Sequence, residues 1–338
     1  MKKLLLSEEQ MSSGRNLAQR AECTFERTVN EPTVSVTVLI VTYNHARYVA
    51  AAIDSVLMQD TESGVEILIS EDFSTDGTRE IVERYVSDYP ERLSAIYSGS
   101  NLRSNEVVAR GLRVARGRYV SILDGDDLWT SKTKLRDQVA HLDAHPELSA
   151  IFYNALVAHG DEITSRRWTP RDQKPLITQR EIWEGNPFAT CGSMMRTACV
   201  RDVPSWYADF FPITDWPLYV HCAKTADLAF VDEVAGIYRL HPGGLVSALP
   251  SPLRLDAIEG FYRRMANVMD ARGAQFARGG CSRYFYEWSK QYLNGGDLPS
   301  ARSCFLRLLR SGTGGNNVPK RDIARLALLL LKSSVLGR

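Results

Sequence analysis

No run of apolar residues in this chain approaches the roughly 18 to 20 that a bilayer-spanning helix requires, so the sequence offers no membrane span. An excess of one charge is missing too. Forty-one basic residues stand against 40 acidic ones, so no overall field draws the chain towards nucleic acid, and no nucleic-acid partner is expected. Cysteine is sparse. Cys23, Cys191, Cys199, Cys222, Cys281 and Cys304 are scattered with no CxxC pair, which excludes a disulfide framework or cysteine-based zinc site and fits reduced thiols in the cytosol. No GxxxxGK[ST] occurs, so a P-loop is excluded, and "SGTGG" (311–315) does not follow a strand, as a dinucleotide fingerprint must. The opening "MKKLLLSEEQ" starts as a signal peptide does, but its apolar run, Leu4 to Leu6, is too short for an h-region. The expected location is the cytoplasm, with peripheral contact at the inner face of the membrane left open.

What is present is an alternation. Buried-strand patterns at 35–44, 65–72, 92–98, 118–127 and 148–159 are interleaved with helical patterns at 45–59, 79–89, 105–116 and 134–145. Each apolar strand ends in polar or acidic residues. This predicts an α/β fold with a mixed, mainly parallel sheet and helices on both faces. In such sheets ligands bind outside the carboxyl ends of the strands, where Asn44, Asp72 and Asp124 to Asp127 fall. Residues 161–176 read as a polar excursion, 190–200 as a strand facing the site, and 214–226 as a helix introduced by an acid. From Pro252 the chain reads as helical, and 286–310 forms a helix–turn–helix unit expected to pack on the main domain, since one such unit cannot form a repeat array. The expected divisions are a polar leader at 1–33, a main domain at 34–245 and a helical region at 246–338. Its last stretch, 319–338, sets Ile323, Leu326, Leu328, Leu329 and Leu330 beside Lys320, Arg321, Arg325, Lys332 and Arg338. Such a helix suits either an anionic membrane surface or docking on the preceding helices.

"LDGDD" crowds Asp124, Asp126 and Asp127 at a strand end. Hard oxygen ligands on a loop suit Mg2+ or Mn2+, held by one or two carboxylates while phosphates and water complete the shell. Gly125 lets the backbone turn tightly between the acids. Taken alone, the motif fits a solvated turn equally well.

The motif has company. "VTYNHARYVAAAIDSVLMQ" (41–59), "ISEDFSTDGT" (69–78), "ARGRYVSILDGDD" (115–127), "TDWPLYVHCA" (214–223) and "YRLHPGG" (238–244) together resemble the family 2 glycosyltransferases, in that family's order and spacing, over about residues 34 to 245. The resemblance implies a GT-A nucleotide-diphospho-sugar transferase fold with a C-terminal helical extension. It implies that Thr42, Tyr43 and Asn44 cradle a nucleoside, Asp72 accepts a hydrogen bond from the base, Asp124 contacts the ribose and Asp126 binds the metal. Asp127 then supports the site or caps the next helix, and Asp76 stabilises a turn. His241 matches a position that contacts metal or diphosphate in some relatives, with Arg239 offsetting phosphate charge. Asp215, in "TD" at a helix start, matches the general base of an inverting transfer, although Asp also caps helices regardless of function. His45 reads as a helix-start residue near the nucleotide and not as a catalyst.

Two positions depart from the family pattern. The glycine of "NxGxxxARN" is replaced by Arg103 in "NLRSNEVVARG", which puts donor specificity in doubt and offers Arg103 to the donor phosphates. Glu71 replaces the commoner Asp. A haloacid-dehalogenase-type phosphatase would want Thr or Val at Leu128, and a nucleotidyltransferase would want a Gly-rich phosphate loop near its start; neither pattern is met. The resemblance therefore implies an inverting, metal-dependent transferase using a nucleotide-diphosphate sugar, with a UDP-sugar favoured and Mn2+ or Mg2+ as cofactor. The acceptor is a saccharide or lipid-linked hydroxyl of surface polysaccharide synthesis. The alternative is a non-catalytic nucleotide-sugar-binding or scaffold protein on a degenerate transferase fold.

Overall fold

A computed structural model describes residues 3–4, 23–26, 34–61, 64–246, 248–311 and 318–336. The chain divides into two compact units, one of residues 1–178 and 187–241, the other of residues 179–186 and 242–338. Most of the expected leader lies outside the described residues. Lys3–Leu4 and Cys23–Glu26 form short strands, the second paired antiparallel with Leu93–Ser98.

The first unit is built on a twelve-stranded sheet. Its parallel centre comprises β1 (Val34–Thr42), β2 (Gly64–Glu71), β3 (Leu93–Ser98) and β4 (Tyr119–Asp124), in the order β3-β2-β1-β4. Beyond β4 come β6 (Ser193–Arg196), β5 (Leu148–His159) and β7 (Asp227–Leu240). β6 is antiparallel to both its neighbours, whereas β5 and β7 are parallel. The interior of β1 is nearly continuous in Val, Ile and Leu because both its faces are covered. On one face Val36, Val38 and Ile40 join Val49, Ile53 and Val56 of helix α1 (Val49–Leu57) in a fully buried cluster. Burying each such side chain is worth about 1.5–3 kcal/mol. On the other face helix α3 (Glu106–Val114) comes close to β1 because Gly111 lacks a side chain; a Cβ there would stand 2.4 Å from Leu39 Cδ1. Helices α2 (Thr78–Asp88) and α4 (Lys134–Ala144) complete the alternation.

Two expected features change. Residues 161–176, read as a polar excursion, include the strand Glu162–Arg167, antiparallel to β5. It is largely exposed and almost wholly polar, so no apolar signal marked it. Only Ser193–Arg196 of 190–200 is strand, between a 3-10 turn at Thr190–Gly192 and a helical turn at Thr197–Val200.

The second unit is helical. Helix α5 (Trp216–Ala223) still belongs to the first unit. Then follow α6 (Ser251–Val268), α7 (Ala271–Asn294), α8 (Leu298–Arg310) and α9 (Lys320–Leu336). Asp270 and Asp297 cap α7 and α8 by accepting from Gly273 N (2.8 Å) and Ser300 N (3.1 Å). The short helix Gln179–Glu184 joins this unit, and Tyr262 donates to Trp183 O at 2.8 Å. In α9, Leu326 and Leu330 are buried in a cluster with Ala301, while Leu328, Leu329 and Leu331 are exposed. Among the described residues no helix is long and apolar enough to cross a membrane.

Candidate active site

The parallel strands β2, β1 and β4 are neighbours, so their carboxyl ends open on one rim. Thr42 stands across from Glu71, and Val41 across from Asp124. Beyond the strands, Asp72 N donates to Thr42 O (3.0 Å) and Gly125 N to Val41 O (2.8 Å). Asp72, Thr42 and the Asp124–Asp127 turn are thereby stitched side by side, about 5 Å per strand.

Asp126 is the centre of this rim. His241 Nε2 donates to its Oδ2 at 2.9 Å, and His45 Nε2 lies 3.6 Å from the same oxygen. One ligand atom from each of the three residues lies within 4.8 Å of the others, a group that fits a metal ion. Burial opposes ionisation of Asp126, yet His45 and His241 outweigh it and hold the carboxyl below its usual range. Burial pushes the His45 imidazole down, with Asp126 working against it. The neighbouring acids behave oppositely. Burial, then Asp126 and Asp215, push the Asp124 carboxyl up, against a hydrogen bond from Thr190. Burial, then Asp126 and Asp124, push Asp127 well up. One ionised carboxylate between two reluctant ones is the arrangement expected where a cation would settle all three.

Asp127 supports rather than caps. Its Oδ1 accepts from Arg239 N at 2.8 Å, and Arg239 Nη1 donates to Asp126 O at 2.6 Å. These bonds pin the end of β7 to the acidic turn, and His241 follows two residues later. Gly125 owes its identity in part to space. Its φ is not among the positive values, but a Cβ would stand 2.6 Å from Thr42 Oγ1 and 2.9 Å from His45 Nδ1. The tight turn anticipated from the sequence is present, closed by Asp127 N donating to Asp124 O at 3.0 Å, and close approach adds a second reason for glycine.

Asp72 is almost fully buried. Its Oδ1 accepts from Ser98 Oγ (2.8 Å) and Leu102 N (3.1 Å). Ser98 Oγ in turn accepts from Arg110 Nη1 (2.7 Å), and Arg110 also donates to Ser70 Oγ and Glu71 O. Burial pushes the Asp72 carboxyl up, and the bonds from Leu102 and Ser98 pull against it. Asp72 thus holds the 98–102 loop, with acceptor capacity left over for a base, since a carboxylate offers about four lone-pair sites. Asn44 is similarly engaged: its Oδ1 accepts from Thr75 N (2.8 Å) and its N donates to Ser74 Oγ (2.9 Å). Asp76 accepts from Thr78 and from Ala46 N, so it stabilises its own turn and also ties it to the 42–48 loop. Thr42 is buried, whereas Tyr43 is 41% exposed.

Among the described residues three non-glycines have positive φ: Asn44 (55°), Phe73 (64°) and Arg103 (44°). All sit on loops at strand ends. Asn tolerates this region, but for other residues it costs about 1–2 kcal/mol. At Arg103 the backbone keeps the left-handed form that glycine would take, with an exposed guanidinium added. The same loop is tied to the segment before Asp215, for Asn105 Nδ2 donates to Ile213 O and Ser104 Oγ to Ala208 O, both at 2.8 Å. Asp215 caps α5 by accepting from Trp216 N at 2.7 Å, with Pro217 in the first turn. Its negative charge contributes to the upward push on the Asp124 carboxyl.

Sequence reasoning missed several participants. His45 faces Asp126 from a separate strand end, a contact with no local signal. Lys134 is buried beside β4, where its Nζ donates to Ser121 Oγ (3.1 Å) and Gln138 Oε1 (2.8 Å) and lies 4.2 Å from the Trp129 ring centroid. Burial pushes this amine down to about 7. Arg110, in contrast, was legible as the arginine kept in place within "NLRSNEVVARG" and as a charge on the apolar face of a regular helix.

Residues 37–203 match the profile of the family described as Glycosyl transferase family 2. An uncharacterized protein of Mycobacterium bovis is 31% identical over 210 residues, which cover 62% of this chain and 59% of that protein. The chain thus spans about three fifths of the length of the first curated relatives it matches. Two solved structures share the fold at 18% identity. One is Staphylococcus aureus TarS 1–349 in complex with UDP-GlcNAc (TM-score 0.59, covering 90% of this chain and 93% of that one). The other is the mannosyltransferase PcManGT of Pyrobaculum calidifontis in complex with GDP-Man and Mn2+ (TM-score 0.55, covering 92% and 84%).

Proposed function

Because the chain belongs to glycosyl transferase family 2, we propose that it moves a sugar from a nucleotide-diphosphate donor to an acceptor hydroxyl with inversion. Asp215 is the base. It takes the proton of the incoming hydroxyl as the anomeric carbon acquires oxocarbenium character. Its place at the start of α5 favours the ionised carboxylate that the step requires. Asp126 and His241 would hold Mn2+ or Mg2+, which when bound offsets the charge on the leaving diphosphate. Asp124 receives the ribose, and Thr42, Tyr43, Asn44 and Asp72 form the nucleoside wall, with exposed Tyr43 available to a base. Arg103 reaches the donor phosphates. TarS was solved with UDP-GlcNAc and PcManGT with GDP-Man, which supports a nucleotide-sugar donor, and the Mn2+ with PcManGT supports a metal. We favour a UDP-sugar, with a surface saccharide or lipid-linked oligosaccharide as acceptor.

The observation that supports this most is the grouping of Asp126, His45 and His241, with Asp215 felt at the adjacent Asp124. Asp215→Asn tests it. Turnover should fall about 10²–10⁴-fold, while donor affinity measured by calorimetry stays within about twofold. Near-wild-type turnover would move the base elsewhere. A wild-type chain that binds nucleotide sugars with Mn2+ yet turns over none, across a panel of acceptors, would be a binding module.

The location that suits such an acceptor is the inner membrane face. In α9, exposed Leu328, Leu329 and Leu331 stand among exposed Arg325 and Lys332, a composition that suits anionic lipid. Co-sedimentation with phosphatidylglycerol vesicles, lost on Leu328→Ser with Leu331→Ser, would support this. Equal recovery with neutral vesicles would count against it.

A further inference from the structure

We propose that His45 is a third metal ligand, and that the resulting face of two imidazoles and one carboxylate selects Mn2+ over Mg2+. The inference rests on the metal-dependent reading above and goes beyond it by adding a ligand from a different strand end and a consequence for metal choice.

Geometry comes first. Two ligands at right angles, each about 2.1 Å from an octahedral ion, stand about 3 Å apart. His241 Nε2 and His45 Nε2 lie 2.9 and 3.6 Å from Asp126 Oδ2. The imidazole rings meet edge to face with centroids 6.2 Å apart, so their nitrogens converge on the carboxylate without stacking. A small movement of either ring admits an ion where the His241–Asp126 hydrogen bond now lies.

The orientation of His45 is built rather than incidental. Its Nδ1 is 3.3 Å from Thr42 Oγ1, so an Nδ1 proton given to that hydroxyl leaves the Nε2 lone pair facing Asp126. Metal-bound histidines are usually oriented through their second nitrogen in this way. The backbone of His45 is fixed as well. His45 N donates to Thr78 Oγ1 (2.8 Å), which donates to Asp76 Oδ1 (2.6 Å), and Asp76 Oδ2 accepts from Ala46 N (3.0 Å). The absent side chain at Gly125 supplies the room, since a Cβ there would press on both Thr42 and His45.

Two chemical consequences follow. Mg2+ prefers oxygen ligands and releases water reluctantly, whereas imidazole nitrogen suits transition metals. A single histidine biases a site weakly; two of three protein ligands bias it strongly towards Mn2+. Three ligands from one side also leave the opposite positions for water and diphosphate oxygens. His45 and Asp126 come from the ends of adjacent strands, so an ion bound by both clamps the 42–48 loop, which carries Thr42, Tyr43 and Asn44, to the acidic turn.

The test is electron paramagnetic resonance of Mn2+ bound to the full chain, with and without UDP, resolving nitrogen couplings by histidine 15N labelling. Wild type should show two imidazole nitrogens. His45→Ala should show one and lose about tenfold or more in Mn2+ affinity, with Mg2+ affinity, read by competition, changing about twofold or less, since Mg2+ relies on oxygen ligands. A wild-type spectrum with one coupling would overturn the assignment without any variant. So would a His45→Ala protein that retains both couplings. Asp126→Asn separates the two layers. If it abolishes Mn2+ binding while wild type shows a single nitrogen, the metal-dependent reading stands and His45 falls. If wild type binds no Mn2+ with or without UDP, both fall.

Discussion

Asp72 and Asp126 follow β2 and β4, the two parallel strands that flank β1, yet they live in opposite surroundings. Asp72 faces mostly inward: its carboxylate accepts from Ser98 and Leu102 with capacity to spare, and Arg110 stands behind Ser98. Asp126 is spent outward, facing two imidazoles across a gap that suits an ion. Burial raises the first carboxyl, whereas the histidines lower the second despite its burial. A carboxylate at a strand end is therefore no single kind of site residue. One shapes the 98–102 loop, and the other faces two imidazoles in a group that could hold a metal ion.

Breaking Asp72 should be the costlier act for folding. Asp72→Ala strands the Ser98 hydroxyl and the Leu102 N–H, and a loss of about 3 kcal/mol is expected in urea unfolding. A fall below that seen for Ser98→Ala would contradict the inward role. Lys134, buried against Ser121 of β4, makes a further comparison through its depressed pKa. The folded amine titrates at about 7 and the unfolded one near 10.5. Between those values the unfolded chain holds more protons, so stability rises with pH across that window. Lys134→Met should flatten this rise between pH 7 and 10, read as the change in Tm, and a slope equal to wild type would show that Lys134 is charged when folded. Ser98→Ala removes one link of the Asp72 network and should cost about 1 kcal/mol. Arg103→Gly should be smallest for stability. Relief of left-handed strain is about offset by added unfolded-state freedom, leaving a net change of about 0.5 kcal/mol or less. Donor affinity should nonetheless drop about fivefold if the guanidinium meets phosphate, and an unchanged affinity would remove Arg103 from the donor site.

How legible these features were follows the same divide. "VTVLIV" and "VEILIS" announce buried parallel strands because both faces are covered, so β1 and β2 stand out in composition alone. The edge strand Glu162–Arg167 does not, since its side chains meet water as a loop's would. Strand ends point to a rim, and the acids Asp72 and Asp124 to Asp127 fall on it. What each acid touches depends on residues distant in the chain: Asp126 on His241 and His45, Asp127 on Arg239, Asp72 on Ser98 and Leu102. His241 was anticipated through family resemblance. His45, which looked like a helix-start residue, acquires its place only when β1 and β4 lie side by side. The turn at Gly125 was legible in the sequence, whereas the room it leaves for Thr42 and His45 was not.

The most direct test of the rim as a donor site is calorimetric titration of UDP into wild type and Asp126→Asn, each with and without Mn2+. Wild type should bind UDP about tenfold or more tightly with Mn2+, a gain of about 1.4 kcal/mol or more, and the variant should show no metal dependence while keeping its weak metal-free affinity. An Asp126→Asn protein that still gains the full Mn2+ enhancement would contradict the account, because the cation would then be held elsewhere.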